Sequence, residues 1–344
     1  MIRFECDYAE GAHPLILERF IATNEEQTPG YGMDEHCERA RKLIKDKCEH
    51  EDIDVHFLVG GTQTNMTVIA SALRSYQGVI AAESGHINGH ETGAIEATGH
   101  KVLTIPSTDG KIHAEQVEQI CVAHKEDSSR EHVVQPAMVY LSFPTETGMI
   151  YSKEELYAIK KVAKEHGIYV FIDGARLGYG LVSCENDVTL KDITECSDVF
   201  YIGGTKVGAL FGEAIVIRND VLKKDFRYHM KQRGGLLAKG RLLGIQFETL
   251  FEEDLYMEIS KKAVEYAMQV KDAFRKKGVS FLYDSTTNQQ FPILSHEALE
   301  QLGKKYSFTD WCKISEHTSA VRFCTSWATK EENVKQLLED IAML

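Results

Sequence analysis

Short apolar runs recur along the chain, at His56 to Val59, Val79 to Ala82, Val102 to Ile105, Ala137 to Leu141, Tyr169 to Ile172, Val199 to Ile202 and Ala214 to Ile217. Between most of them lie stretches with three-four spacing of apolar residues, such as Thr64 to Tyr76 and Lys153 to His166, which predict helices. The alternation predicts an α/β domain with a mainly parallel sheet. Ligands of such sheets sit beyond the carboxyl ends of the strands, so candidate chemistry is sought there. After about Gly244 the pattern changes. A long charged helix is expected from Leu255 to Lys277, short strands at Val279 to Tyr283 and near Ala320 to Cys324, and a closing helix from Lys330 to Met343. The expected organisation is a large domain over residues 1–244, including an N-terminal arm, and a small α+β domain over 245–344.

Charge narrows the partners. Lys+Arg 39 against Asp+Glu 52 leaves a net charge of -13, which argues against nucleic acid or an anionic membrane as the main partner. An anionic ligand must then be met by a local site. Eight cysteines are scattered without a CxxC pair, the pattern of reduced thiols rather than of a disulfide frame or zinc knuckle. The N-terminus lacks a signal-peptide core, and no segment reaches the ~18 uninterrupted apolar residues of a membrane span. A cytoplasmic location is expected.

Four motifs at predicted strand ends carry the candidate chemistry. In VFYIGGTKVGALFGE an apolar run ends in two glycines and presents Thr205 and Lys206. A lysine on such a turn can meet a bound carbonyl compound, naturally pyridoxal phosphate held as a Schiff base, although a solvated loop lysine has the same local sequence. Val59 to Asn65, VGGTQTN, ends a strand and opens a helix, so the amides of Gly61, Thr62 and Gln63 can bind a phosphate. An ordinary turn capped by Thr62 or Thr64 is the alternative. FIDGAR places Asp173 just past a strand, where a carboxylate can hold a pyridinium nitrogen protonated, and Arg176 within reach of a phenolic oxygen or a substrate carboxylate. A capping aspartate paired with Arg176 is the plainer alternative. In ESGHINGHE, His86 can stack on a flat cofactor. His86 and His90 stand four apart, as zinc ligands on a helix do, but the HExxH order and a third ligand are missing, so no metal is expected. Gly203 to Gly208 lacks the Lys and Ser/Thr of a P-loop, and no GxGxxG occurs.

Taken in order, GGTQTN, ESGHI, DGAR and GGTK resemble the threonine aldolase and β-eliminating lyase family of pyridoxal phosphate enzymes, which has the aspartate aminotransferase fold (fold type I). The resemblance runs over nearly the whole chain. It implies Lys206 as the Schiff-base lysine, Asp173 on the pyridine nitrogen, His86 stacked on the ring, Arg176 near phenolate and substrate, and Gly61, Thr62 and Thr205 around the phosphate. Lys239 in GGLLAKGR matches a basic residue that approaches the phosphate. Tyr31 in PGYGMDE matches a tyrosine that reaches into a neighbouring subunit's site, and Arg322 in VRF an arginine that grips the substrate α-carboxylate, with a structural salt bridge as its alternative. A homodimer or homotetramer with interfacial sites follows.

Two departures bear on specificity. Cys6-Asp7-Tyr8 stands where the family usually has serine, aspartate and threonine, and Glu146 in SFPTETG stands about where many members have a histidine. The implied activity is cleavage of a β-hydroxy-α-amino acid, L-threonine or L-allo-threonine, to glycine and an aldehyde, with His86 or Glu146 handling the hydroxyl proton. α,β-Elimination or transamination on the same cofactor is the alternative. A non-catalytic binding protein with an exposed Lys206, or a metal hydrolase using His86 and His90, would be of another class.

Overall fold

A two-residue strand near the N-terminus, β1 (Ile2–Arg3), precedes the seven strands of the main sheet: β2 (Asp54–Leu58), β3 (Gln77–Ala82), β4 (Val102–Ile105), β5 (Gln135–Ser142), β6 (Tyr169–Asp173), β7 (Val199–Gly203) and β8 (Glu213–Ile217). The computed structural model describes residues 1–344. The strand order is β2-β8-β7-β6-β5-β3-β4, all parallel except β8, which runs antiparallel to both its neighbours. Every residue of β7 and β8 is buried. Helices cover both sheet faces, which selects consecutive rather than alternating apolar residues. The helices Glu35–Cys48, Lys153–His166 and Arg241–Glu252 pack Ile44, Ile159 and Phe247 on one face. Gly61–Ala72 and Phe226–Gln232 pack Val68, Ile69 and Met230 on the other.

Local signals set the helix ends. The Ser152 hydroxyl accepts the Glu155 N–H while the Glu155 carboxylate accepts the Ser152 N–H, and Gly167 closes the same helix in the left-handed region at φ 67°. The helix expected from Thr64 already begins at Gly61.

Beyond the long helix Leu255–Lys276 the chain forms β9 (Gln289–Gln290), β10 (Ile293–Ser295), β11 (Tyr306–Ser307), β12 (Thr309–Lys313) and β13 (Thr318–Cys324). Strand β13 pairs antiparallel with β9, β10 and β12, and β11 pairs parallel with β1. A separate core gathers Phe274, Phe323, Leu337 and Ile341 with Phe4 from the N-terminal arm. The strand expected at Val279 to Tyr283 does not form; only Phe281 bridges, to Pro292. Two hydrogen bonds flank that bridge, from the Leu282 N–H to the Phe291 carbonyl and from the Ile293 N–H to the Ser280 carbonyl, and the pairing extends no further.

Candidate active site

Five strand ends converge. Asp173 closes β6, Lys206 follows β7, Ser142 closes β5 with Glu146 just beyond, His86 follows β3, and the Gly60-Gly61 turn follows β2. They enclose a cavity of about 290 Å³ that adjoins a second of about 560 Å³, and Tyr8, His86, Glu146, Arg176 and Lys206 line both. The DGAR and GGTK turns lie back to back: the Gly203 N–H donates to the Gly174 carbonyl at 2.9 Å. A Cβ on Gly174 would stand 2.0 Å from the Tyr201 carbonyl oxygen, and one on Gly203 would stand 2.4 Å from that of Ala175. Only glycine permits this approach, which sets Asp173 beside Lys206.

The helix from Gly61 has no side-chain cap, so neither Thr62 nor Thr64 serves as one, and the Thr64 N–H is the first to bond back, to the Gly60 carbonyl. The amides of Gly61, Thr62 and Gln63 are left for an anion at the positive end of the helix.

Asp173 is buried, and its two oxygens are differently engaged. One accepts the Ala175 N–H at 2.9 Å; the other accepts the Tyr140 hydroxyl at 2.5 Å and the Asn65 amide at 3.3 Å. Lys206 has no ion-pair partner and opens on both cavities. Burial, then the nearby Arg176 guanidinium, lower its pKa against the pull of Asp7, Asp173 and Glu213. A lowered lysine pKa favours the neutral, nucleophilic amine.

Arg176 does not pair with Asp173. Its Nε and Nη2 grip the two oxygens of Asp7 at 2.6 and 3.0 Å, so the guanidinium is engaged by a carboxylate of its own chain while still lining the cavity. Burial alone would raise the Asp7 carboxyl, but Arg176, Lys206 and the Asn288 amide outweigh it and bring it to about 2. Glu146 shows the opposite balance. Burial raises its pKa, and Asp173 adds to the rise, against bonds from the Ser142 hydroxyl and the His86 N–H that both reach Oε1.

Thr205 lines the smaller cavity. Its hydroxyl donates to Glu213 at 2.8 Å and accepts the Gly212 N–H at 3.1 Å. Arg322 makes no ion pair. Nη1 donates to the Gln289 amide oxygen and Nη2 to the Glu5 carbonyl, both at 3.1 Å, while buried Nε has no partner. The salt-bridge alternative for Arg322 is therefore not met, and its charge is left to face the larger cavity beside Trp311.

The structure thus brings Lys206, Asp173, His86, Gly61, Thr62, Thr205, Arg176 and Glu146 around one cavity and Arg322 around its neighbour. Tyr31 and Lys239 lie elsewhere. The Tyr31 N–H donates to the Leu237 carbonyl, Lys231 stands 4.8 Å from the Tyr31 ring, and Lys239 is exposed. Sequence reasoning missed Asp7, Asn65, Tyr140, Glu91 and Glu213 as parts of the site. Asn65 and Glu91 stand inside motifs already singled out, whereas Tyr140 is hidden within an apolar strand run.

A family model described as beta-eliminating lyase matches residues 13–297. A low specificity L-threonine aldolase from Pseudomonas sp. is 30% identical over 354 residues, covering 98% of this chain and 96% of its own. Its counterpart from Pseudomonas aeruginosa is 30% identical over 349 residues, covering 99% and 97%. Among solved structures, a Leishmania major threonine aldolase aligns with TM-score 0.97 at 44% identity, over 100% of this chain and 99% of that one. Thermus thermophilus aspartate aminotransferase, at 15% identity and TM-score 0.71, over 100% of this chain and 91% of that one, shares the fold. With four motifs at the strand ends of an aminotransferase-type sheet and a family match over most of its length, the chain belongs to the beta-eliminating lyase family.

Proposed function

We propose that this protein is a pyridoxal phosphate-dependent aldolase that cleaves L-threonine or L-allo-threonine to glycine and acetaldehyde. The observation that carries the reading is Lys206, without an ion-pair partner at the cavity wall, beside the buried and hydrogen-bonded carboxylate of Asp173. Bound there, pyridoxal phosphate supplies an electron sink for charge left on the substrate Cα.

The residues fit that group. Lys206 presents its amine to the cofactor aldehyde. Asp173, held by Tyr140, Asn65 and the Ala175 N–H, would keep the pyridine nitrogen protonated. The uncapped amides at Gly61 and Thr62 receive the phosphate. Thr205 lines the same wall, where its hydroxyl donates to Glu213 and its N–H to the Gly212 carbonyl. His86, which lines the same cavity, would cover the ring. Arg322, lacking a carboxylate of its own, receives the substrate α-carboxylate, and Arg176 braces the wall through Asp7.

The β-hydroxyl proton must leave as Cα separates from Cβ. Glu146 suits that transfer because burial raises its pKa, which makes it a stronger base, while Ser142 and the His86 N–H fix Oε1, leaving Oε2 for substrate. His86 is the other acceptor within the same wall. Tyr31 and Lys239, remote from their own chain's cavity, fit a homodimer or homotetramer in which they complete a neighbouring site.

Product analysis tests the reading. Incubation with L-threonine and with L-allo-threonine should yield glycine and acetaldehyde in equal amounts. A keto acid with ammonia instead would replace aldol cleavage by elimination.

A further inference from the structure

Glu91 has no task in the account above, yet its side chain is fully buried beside the site. Oε1 accepts from His86 Nδ1 at 2.7 Å and from Asn65 Nδ2 at 2.7 Å, while Oε2 has no partner. No lysine or arginine pairs with it. A buried carboxylate with one idle oxygen is a costly way to hold a loop together, so a purely structural role explains it poorly. The same Asn65 nitrogen also donates to Asp173, which accepts the Tyr140 hydroxyl. One continuous chain therefore runs His86, Glu91, Asn65, Asp173, Tyr140. It joins the ring-covering histidine to the carboxylate at the far end of the cavity floor.

We infer that Glu91 is a positioning residue, which holds His86 by Nδ1 and, through Asn65, ties the pose of that ring to the pose of Asp173. As an acceptor, Glu91 Oε1 pairs with the His86 tautomer that carries its proton on Nδ1, which leaves Nε2 as the unprotonated nitrogen. This inference rests on the proposed function only for what His86 does next. The bonding that sets the tautomer belongs to the polypeptide itself.

The test uses Glu91→Leu and Glu91→Gln in the full chain. Nitrogen-15 spectra of the imidazoles, with His86 assigned by its loss in His86→Asn, read the tautomer without any turnover. The wild type should show the Nδ1–H form, and Glu91→Leu should shift His86 to a mixture dominated by Nε2–H. Glu91→Gln, whose amide oxygen can still accept both bonds, should keep the wild-type tautomer. In turnover, Glu91→Leu should lower kcat by about 100-fold with KM little changed, and Glu91→Gln should restore most of it. An unshifted tautomer in Glu91→Leu overturns the inference, as does an activity loss that merely follows the melting temperature across both variants. Failure of the proposed function would look different: no glycine and acetaldehyde from the wild type, whatever the tautomer.

Discussion

At Glu213 burial competes with charge, and burial prevails. The carboxyl sits on the first residue of β8, accepting from the Thr205 hydroxyl and the Gly204 N–H. Burial raises its pKa to about 8 and Asp173 adds to the rise, against lowering by Thr205, Lys206 and the Gly204 N–H. The folded protein then holds a proton that the unfolded chain, titrating near 4.5, has lost. Stability should fall as pH rises from 4.5 to about 8 and level off above, with a slope of at most about 1.4 kcal/mol per pH unit from this one group. Glu213→Gln should flatten that part of the profile, as melting temperatures across the range would show; an unchanged slope would mean the carboxyl is ionised throughout. At this scale the sequence disclosed the residues that carry their own local signature. Lys206 stands between glycines and Asp173 at the end of an apolar run. Tyr140 acts through a partner 33 positions away, a distance that spacing along the chain does not encode, and Glu213, although it closes the VFYIGGTKVGALFGE run, shows its burial only once the sheet is built.

Among the secondary-structure elements, the turns position the site more than the strands do. The DGAR and GGTK turns touch through two glycines, and the predicted sensitivity is correspondingly sharp. Gly174→Ala would press a Cβ to 2.0 Å from the Tyr201 carbonyl and should cost more than about 3 kcal/mol, with loss of activity. Gly167→Ala, at φ 67° with open space around its Cβ, should cost only about 1 kcal/mol. Urea unfolding of the two variants compares them directly, and equal costs would mean the DGAR turn yields easily. The sheet strands were readable because both faces are covered and apolar residues run together, as in Val199-Phe200-Tyr201-Ile202. The run at Val279 to Tyr283 has the same apolar look, yet it pairs with the opposite segment at a single bridge, Phe281 to Pro292, and the length of a pairing is set by the partner segment rather than by the run itself.

For the whole molecule, the N-terminal arm acts as a stitch. Strand β1 pairs with β11 and Phe4 enters the C-terminal core. A few residues later, Asp7 bonds both Arg176 behind β6 and Asn288 beside β9. We propose that the large sheet domain and the small C-terminal one are held in register by this carboxylate. Its lowered pKa means that its contribution is complete above 3.8 and is lost as pH falls toward 2. Asp7→Asn leaves the largely buried Arg176 without its counter-charge and should destabilise the protein by about 3 kcal/mol at neutral pH. A calorimetric melt within about 1 kcal/mol of wild type would show the pair to be dispensable. None of this was visible in the sequence, where Asp7 and Arg176 lie 169 positions apart.

The central claim is that Lys206 is the residue joined to the cofactor. Borohydride reduction of the purified protein after incubation with pyridoxal phosphate, followed by peptide mass spectrometry, tests it most directly. The account predicts a phosphopyridoxyl group fixed on Lys206 and no such stable label at the site in Lys206→Ala. A label confined to other lysines, or none at all, would contradict it.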